Sequence, residues 1–228
     1  DMGRLKDGSE GPNFERGIEL RAKQTVFSEG CRGHLGKTLM EKFELNSNNS
    51  PQTYGIGIKE LWEVAPENSK PGSIMHTTGW PLDNETYGGS FLYHLDDNKI
   101  SIGFVIGLDY KNPYLSPYLE FQRFKHHPAI KKLLEGGRRI NYGARALNEG
   151  GVQSLPKLTF PGGMLVGCEA GFLNVPKIKG THLAMKSGMI AAQSIFENID
   201  KQDEITEFQT NIKQSWLWKE LYKVRNIR

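Results

Sequence analysis

The sequence has few cysteines and no long apolar run. Its 228 residues include only Cys31 and Cys168, which excludes a disulfide scaffold and any metal or iron–sulfur site held by four cysteines of this chain. No window of about 18 uncharged apolar residues occurs, and residues 1–4 carry no apolar signal-peptide core. We therefore expect a soluble or peripheral protein of a reducing compartment.

Several functional motifs are also missing. The sequence contains neither a P-loop nor Gly-x-Ser-x-Gly, which argues against NTPases and hydrolases. It also lacks Gly-x-Gly-x-x-Gly, so a dinucleotide would lack its usual pyrophosphate-binding turn. The net charge of +3 argues against a nucleic-acid partner bound through bulk charge. We predict no catalytic side chain and no metal ligand in this chain.

The first third of the chain has the pattern of a nucleotide-binding unit. Residues 1–17 show no periodicity, and residues 20–27 predict a strand. A glycine-rich turn at 28–37 follows, and then Leu39 and Phe43 lie at helical spacing. Strand, glycine-rich turn and helix in this order are typical of nucleotide-binding domains.

The middle of the chain has the alternation of an antiparallel sheet. Residues 90–94 and 99–108 alternate, and the turn residues 96–98 between them predict a hairpin. Two short helices are predicted at 118–126 and 129–135, the second ended by glycines.

Helical spacing returns in the last quarter of the chain. Residues 180–199 predict a helix whose apolar stripe includes Leu183, Ile190 and Phe196. A second helix is predicted at about 205–224.

Two glycine clusters are candidate ligand sites. A buried strand that ends at Gly167 and leads to a helix presents free backbone amides, which stabilise an anion or an electron-rich carbonyl. An ordinary packing turn is the alternative. The pair Gly88 and Gly89 allows a ligand close to the backbone, and nearby aromatic residues such as Trp80 and Tyr87 form a pocket for a flat ring. A bulge beside an aromatic core is the alternative there.

The last predicted helix is a candidate membrane contact. Its Trp216, Leu217, Trp218 and Leu221 are followed by basic residues, and this combination is typical of a membrane interface. A helix that packs its apolar stripe on the core is the alternative.

Long stretches of the chain resemble electron-transfer flavoprotein–ubiquinone oxidoreductases. The similarity covers nearly all 228 residues and is specific because the matching runs are long. The matching runs are 79–82 (GWPL), 86–94 (TYGGSFLYH), 107–114 (GLDYKNPY), 125–128 (KHHP), 142–151 (YGARALNEGG), 156–163 (PKLTFPGG), 174–182 (NVPKIKGTH), 218–222 (WKELY) and 225–228 (RNIR).

The resemblance implies an α/β (α+β) fold with a partial FAD-binding domain of the glutathione-reductase type. It implies that residues 1–52 and 138–200 belong to this domain, that 53–137 form an inserted quinone-binding antiparallel sheet, and that 201–228 form an amphipathic, membrane-facing helix. The implied activity is electron transfer from reduced electron-transfer flavoprotein, through FAD and a [4Fe–4S] cluster, to ubiquinone. The implied location is peripheral, on the mitochondrial inner membrane or the bacterial cytoplasmic membrane.

The resemblance also implies site residues. Gly88 and Gly89 correspond to the glycines that meet the quinone ring. The residues implied around FAD are Glu29, Gly30, Asn148, Gly150, Gly151, Gly167, Gly171, Asn174, Gly180 and Thr181.

Two departures from the family concern the cofactors. The pyrophosphate-binding motif and the four cluster cysteines are absent, so we expect an internal fragment of a longer enzyme that is inactive by itself. One alternative is an FAD-dependent prenyl reductase of the geranylgeranyl type. The other is a non-enzymatic membrane-surface binding module.

Overall fold

The computed structural model describes residues 1–200 and 203–227. The strands are β1 (Met2–Arg4), β2 (Glu10–Glu15), β3 (Thr25–Phe27), β4 (Tyr54–Glu63), β5 (Ile74–Thr78), β6 (Gly88–Leu95), β7 (Lys99–Gly107), β8 (Arg138–Asn148), β9 (Thr159–Phe160) and β10 (Gly163–Leu165). The helices are α1 (His34–Lys42), α2 (Pro117–Lys125), α3 (Pro128–Leu134), α4 (Gly167–Ala170), α5 (Thr181–Asn198), α6 (Glu207–Gln214) and α7 (Trp216–Lys223).

A five-stranded antiparallel sheet, in the order β5-β6-β7-β4-β8, forms the middle of the protein. Its hairpin of β6 and β7 confirms the one predicted, and Asp97 and Asn98 make the turn with φ angles of 55° and 54°. Alternation along β7 places one set of side chains against α2 and α3, where each is at most 1% exposed. These side chains are Ile100, Ile102, Phe104 and Ile106.

The structure moves the domain boundary that we predicted after residue 137. Strand β8 pairs with β4 along its whole length, from Tyr54 opposite Asn148 to Glu63 opposite Arg138. Residues 138–148 therefore belong to the sheet. Gly136 and Gly137 lie between the end of α3 at Leu134 and the start of this strand at Arg138.

A second core lies between a small sheet and the last three helices. In this sheet β10 runs parallel to β3 and antiparallel to β9, and α5 packs nearby through Leu183. The predicted helix at 180–199 is confirmed as α5, but Phe196 is 83% exposed. The buried face of α5 includes Ile190 and Ser194. Phe196 points away from this face, because it lies two residues after Ser194, a rotation of about 200° around the helix.

The strand predicted at residues 20–27 is shorter in the structure. Strand β3 covers Thr25–Phe27 alone, because its partner β10 has three residues to pair with. Leu20, placed in that strand by the prediction, is 90% exposed. Residues 1–17, whose sequence shows no periodicity, contain the hairpin of β1 and β2.

The C-terminal segment packs on the core, so the membrane contact predicted for Leu217 and Leu221 is wrong. They are 0% and 1% exposed and share a core with Phe208 and Ile212. The single predicted helix is two, α6 and α7, separated at Ser215. The predicted segment 201–228 includes residues 201, 202 and 228, which lie outside the described residues. No helix of the described chain is long and apolar enough to cross a bilayer.

Candidate functional site

An apolar cavity of about 350 Å³ lies between the five-stranded sheet and the loop of residues 173–178. We call it the apolar cavity. Strand residues form one side of it and the loop forms the other. The strand side includes His76, Gly88, Gly89, Val105 and Leu147, and the loop side includes Leu173, Val175, Pro176 and Ile178.

The predicted glycine pair forms bare backbone on one wall of this cavity. A Cβ atom on Gly89 would lie 2.5 Å from the carbonyl oxygen of Thr77, and one on Gly88 would lie 2.5 Å from that of Val105. No real Cβ atom tolerates such distances, so a side chain at either position forces the strands to move. The pair therefore serves sheet packing and leaves the cavity wall open to a close ligand.

The loop that forms the opposite wall is held by Asn174, which is 0% exposed. Its backbone amide donates to the carbonyl oxygen of Lys179 at 2.9 Å, and its side-chain Oδ1 accepts from the amide of Lys177 at 3.2 Å. Its Nδ2 donates to Glu220 at 2.7 Å. Asn174, a predicted flavin contact, thus uses both ends of its side-chain amide within the protein.

A smaller polar cleft of about 50 Å³ lies beside α1 and the end of β8. It is lined by residues that include Cys31, Gly33, Lys37, Asn148 and Glu169, and is called the polar cleft below. Asn148 is 5% exposed and donates from Nδ2 to the carbonyl oxygen of Cys31 at 3.1 Å. Its Oδ1 is buried without a hydrogen-bond partner among the described residues. That oxygen is an acceptor available to a ligand.

Glu169, which lines this cleft, lies close to a second acid, Glu29. Glu169 is 3% exposed, and its Oε1 lies only 1.8 Å from the position that a Cβ atom on Gly36 would occupy. Burial raises the pKa of the Glu169 carboxyl, and the charge of Glu29 raises it further. Glu29 accepts a hydrogen bond from the amide of Gly36 at 2.9 Å, close to the start of α1. The surroundings of Glu169 therefore hold the pKa of its carboxyl above that of an exposed glutamate.

The turn at Gly167 differs from the prediction of free amides. The Gly167 amide donates to the side-chain oxygen of Ser187 at 2.9 Å, and the Gly171 amide donates to the carbonyl oxygen of Cys168 at 3.1 Å. Four of the predicted glycines have left-handed backbone, which favours glycine. These are Gly30, Gly151, Gly167 and Gly171, with φ of 99°, 69°, 61° and 93°.

The remaining predicted residues lie at helix starts and loops. The Gly150 amide donates to Gln52 at 2.7 Å, so it is also engaged. Gly180 precedes α5, and Thr181 is its first residue, where backbone amides have no partner within the helix. Trp216 is 45% exposed and stacks on His182, with ring centroids 5.9 Å apart, whereas Trp218 packs partly against the core.

Several residues of the apolar cavity were missed from the sequence. His76 lies on β5, a strand that the alternation did not predict. Val175 and Pro176 lie in the matching run 174–182, but the resemblance gave these two residues no role. Glu149 is 4% exposed and also lines the apolar cavity, although its neighbours 148 and 150 were predicted. The matching run 142–151, which contains Glu149, was the sequence signal that could have identified this residue.

Residues 54–147 match a protein-family model described as "ETF-QO, ubiquinone-binding". The matched range coincides with the part of the chain that runs from the start of β4 to β8. The family model thus covers the five-stranded sheet, including the glycine pair.

Curated relatives match the whole chain. It is 62% identical to the mitochondrial electron transfer flavoprotein-ubiquinone oxidoreductase of Sus scrofa, 61% to that of Homo sapiens and 53% to that of Oryza sativa subsp. japonica. These alignments cover 100% of this chain but 39%, 39% and 40% of the relatives. The chain therefore spans about two fifths of their length.

Solved structures of low sequence identity share the fold. A geranylgeranyl bacteriochlorophyll reductase-like protein from Thermoplasma acidophilum matches with a TM-score of 0.65 and 20% identity, over 85% of this chain and 47% of that chain. A halogenase in complex with phloroglucinol and FAD matches with a TM-score of 0.54 and 13% identity, over 85% of this chain and 41% of that chain. The predicted fold class, a mixed α/β fold of the partial FAD-binding type with an antiparallel sheet, is confirmed.

Proposed function

We propose that this chain, a member of the electron-transfer flavoprotein–ubiquinone oxidoreductase family, supplies the quinone site and part of the flavin site of an enzyme that reduces ubiquinone. The electron donor in this proposal is reduced electron-transfer flavoprotein. The observation that carries the proposal is the apolar cavity with its glycine wall, which lies in the sheet that the ubiquinone-binding model matches.

The apolar cavity suits a quinone ring. Leu147, Val175 and Pro176 offer apolar contact to a flat ring, and the backbone at Gly88 and Gly89 can be approached without a side chain in the way. Reduction increases the negative charge on the quinone oxygens, and nearby backbone dipoles stabilise such charge best where water is excluded. Electron transfer itself needs no acid, base or nucleophile, in keeping with the absence of a predicted catalytic side chain.

The polar cleft suits one edge of a flavin. The buried Asn148 Oδ1 is an acceptor without a described partner, and an N–H group of the flavin ring would satisfy it. The cleft is too small to enclose a ring, so its contribution is a polar contact from one side. FAD, when bound, supplies the one-electron chemistry. We also propose that the flavin is contacted by Glu29, Gly30, Gly180 and Thr181.

The [4Fe–4S] cluster of the proposed enzyme needs ligands beyond this chain. Iron–sulfur clusters of this type are held by four cysteine thiolates, and the chain has two cysteines. Burial raises the pKa of both the Cys31 and Cys168 thiols, which disfavours the thiolate that an iron ligand requires.

The proposed location is the surface of the mitochondrial inner membrane, as the mitochondrial relatives suggest. Apolar side chains that line the apolar cavity are also partly exposed, with Tyr87 at 38%, Ile178 at 36% and Ile227 at 51%. A lipid-soluble quinone enters most easily through such a rim. Trp216 remains a candidate lipid contact, whereas Leu217 does not.

A matched pair of glycine variants tests the proposal in the full-length holoenzyme. Gly89→Ala places a methyl group 2.5 Å from a backbone oxygen, whereas Gly143→Ala, in the same sheet, places it in open space. We expect Gly89→Ala to slow flavin reoxidation by a short-chain ubiquinone about tenfold, because overpacking costs roughly 1–3 kcal/mol. Flavin reduction by electron-transfer flavoprotein should stay unchanged, and Gly143→Ala should match wild type in both steps. Equal quinone rates in the two variants would contradict the proposal.

A further inference from the structure

One carboxylate oxygen behind the apolar cavity receives donors from two parts of the chain. Glu220 on α7 accepts at Oε1 from Asn174 Nδ2 at 2.7 Å and from His182 Nε2 at 2.9 Å, and Lys177 Nζ lies 3.3 Å away. The Glu220 side chain is 20% exposed. Burial alone would raise its pKa, but the hydrogen bonds from His182, Asn174 and Lys177 outweigh burial and lower it.

The loop that this oxygen holds is strained at one residue. Ile178 has a φ of 54°, in the left-handed region that β-branched residues rarely adopt. Such a backbone persists where the surrounding contacts impose it. Here the mutual hydrogen bonds of Asn174 and Lys179 close the loop around Ile178, and Glu220 holds the Asn174 side chain.

The same loop is the wall of the apolar cavity. Val175, Pro176 and Ile178 all line the cavity, and each lies within four residues of Asn174. The carboxylate itself is not among the residues lining the cavity, so it acts through the loop. His182, the partner of Glu220 outside this loop, lies in the first turn of α5, next to Thr181.

We infer that Glu220 is a positioning residue that sets the shape of the quinone-binding wall. By accepting a hydrogen bond from Asn174, it keeps the loop in the conformation that strains the backbone at Ile178. The inference rests on the proposed function, because the wall matters only if a quinone binds there. Losing Glu220 leaves the buried Asn174 amide without its charged acceptor, and the loop then relaxes away from the left-handed backbone at Ile178. The quinone site widens, while the flavin site keeps its contacts.

The test uses the full-length holoenzyme with Glu220→Leu and, as a control, Glu41→Leu at an exposed acid on α1. We expect Glu220→Leu to raise the KM for a short-chain ubiquinone about tenfold, which corresponds to about 1.4 kcal/mol. Flavin reduction by electron-transfer flavoprotein should keep its wild-type rate. Hydrogen exchange of the amides in 174–179 should become faster in Glu220→Leu and not in Glu41→Leu.

A second substitution separates positioning from general damage. Glycine adopts a positive φ without strain, so Ile178→Gly combined with Glu220→Leu should lower the KM towards that of Ile178→Gly alone. Ile178→Val, which keeps the branched side chain, should give no such rescue. The inference would be overturned if Glu220→Leu left the KM for ubiquinone unchanged, whether or not hydrogen exchange became faster. It would also be overturned if Glu220→Leu impaired flavin reduction as much as it impaired quinone reduction. Failure of the wild-type enzyme to reduce quinone would instead overturn the proposed function.

Discussion

The apolar cavity and the polar cleft lie in the same protein but differ in size and in the polarity of their walls. The cavity, about 350 Å³, has a wall of bare glycine backbone and a loop of apolar side chains. The cleft, about 50 Å³, contains two buried oxygens without described hydrogen-bond partners, Asn148 Oδ1 and Glu169 Oε2. The apolar cavity favours a ligand that fits its shape and excludes water. The polar cleft favours a ligand that can hydrogen-bond to an unpaired oxygen.

The largest effect should come from a charge in the apolar cavity. Val175 is 5% exposed, and Val175→Asp places a carboxylate against the proposed quinone ring. Burial of an unpaired charge costs several kcal/mol, so quinone reduction should fall by roughly a hundredfold or more. Flavin reduction by electron-transfer flavoprotein, measured by stopped-flow absorbance, should stay near wild type. Val175→Ala is the control, and a similar loss in that variant would show that the charge is not the cause.

A smaller effect should come from the acceptor in the polar cleft. Asn148→Leu removes Oδ1, and we expect about tenfold weaker FAD binding, because one hydrogen bond to a buried group is worth roughly 1–3 kcal/mol. The measurement is equilibrium titration of the FAD-free full-length protein with FAD. Asn141→Leu, at an exposed residue of β8, is the control. If both variants bind FAD like wild type, the cleft is not the flavin site.

The smallest effect should be a change in the pH dependence of stability. The Glu169 pKa is raised in the folded protein, so the folded state binds more protons than the unfolded state above the ordinary carboxyl pKa. The free energy of unfolding should therefore fall as pH rises from that value through the raised one, and then level off. Glu169→Gln should remove this fall, as measured by urea unfolding between pH 4 and pH 8. A curve that still falls equally in Glu169→Gln would assign the effect to another group.

Local pattern predicted the elements well where one periodicity decided the structure. Strand β7 and helix α5 are each indicated by residues close in sequence, and both elements are confirmed, although Phe196 of the predicted apolar stripe is exposed. Leu217 and Leu221 show the limit: tryptophans and lysines beside them favoured a membrane contact, but Phe208 and Ile212 bury them. Local sequence cannot tell a lipid partner from a core partner.

The cavity walls depend on residues far apart in sequence. The glycine pair at 88–89 was found from its own motif, but the opposite wall lies almost ninety residues later. Glu220 meets Asn174 across 46 residues, and no local spacing indicates this contact. The sequence therefore predicted the glycine wall, and the resemblance indicated the ligand. The second wall, and the contact of Glu220 that holds it, could be identified only from the three-dimensional structure.

The most direct measurement of the central claim is photolabelling of the full-length holoenzyme with an azido derivative of a short-chain ubiquinone. Mass spectrometry of the digested protein identifies the labelled peptides, and unlabelled ubiquinone serves as competitor. We expect competed labels within residues 76–90 and 173–178, on the two walls of the apolar cavity. Competed labels that fall instead on the polar cleft, at Cys31 or Asn148, would contradict it.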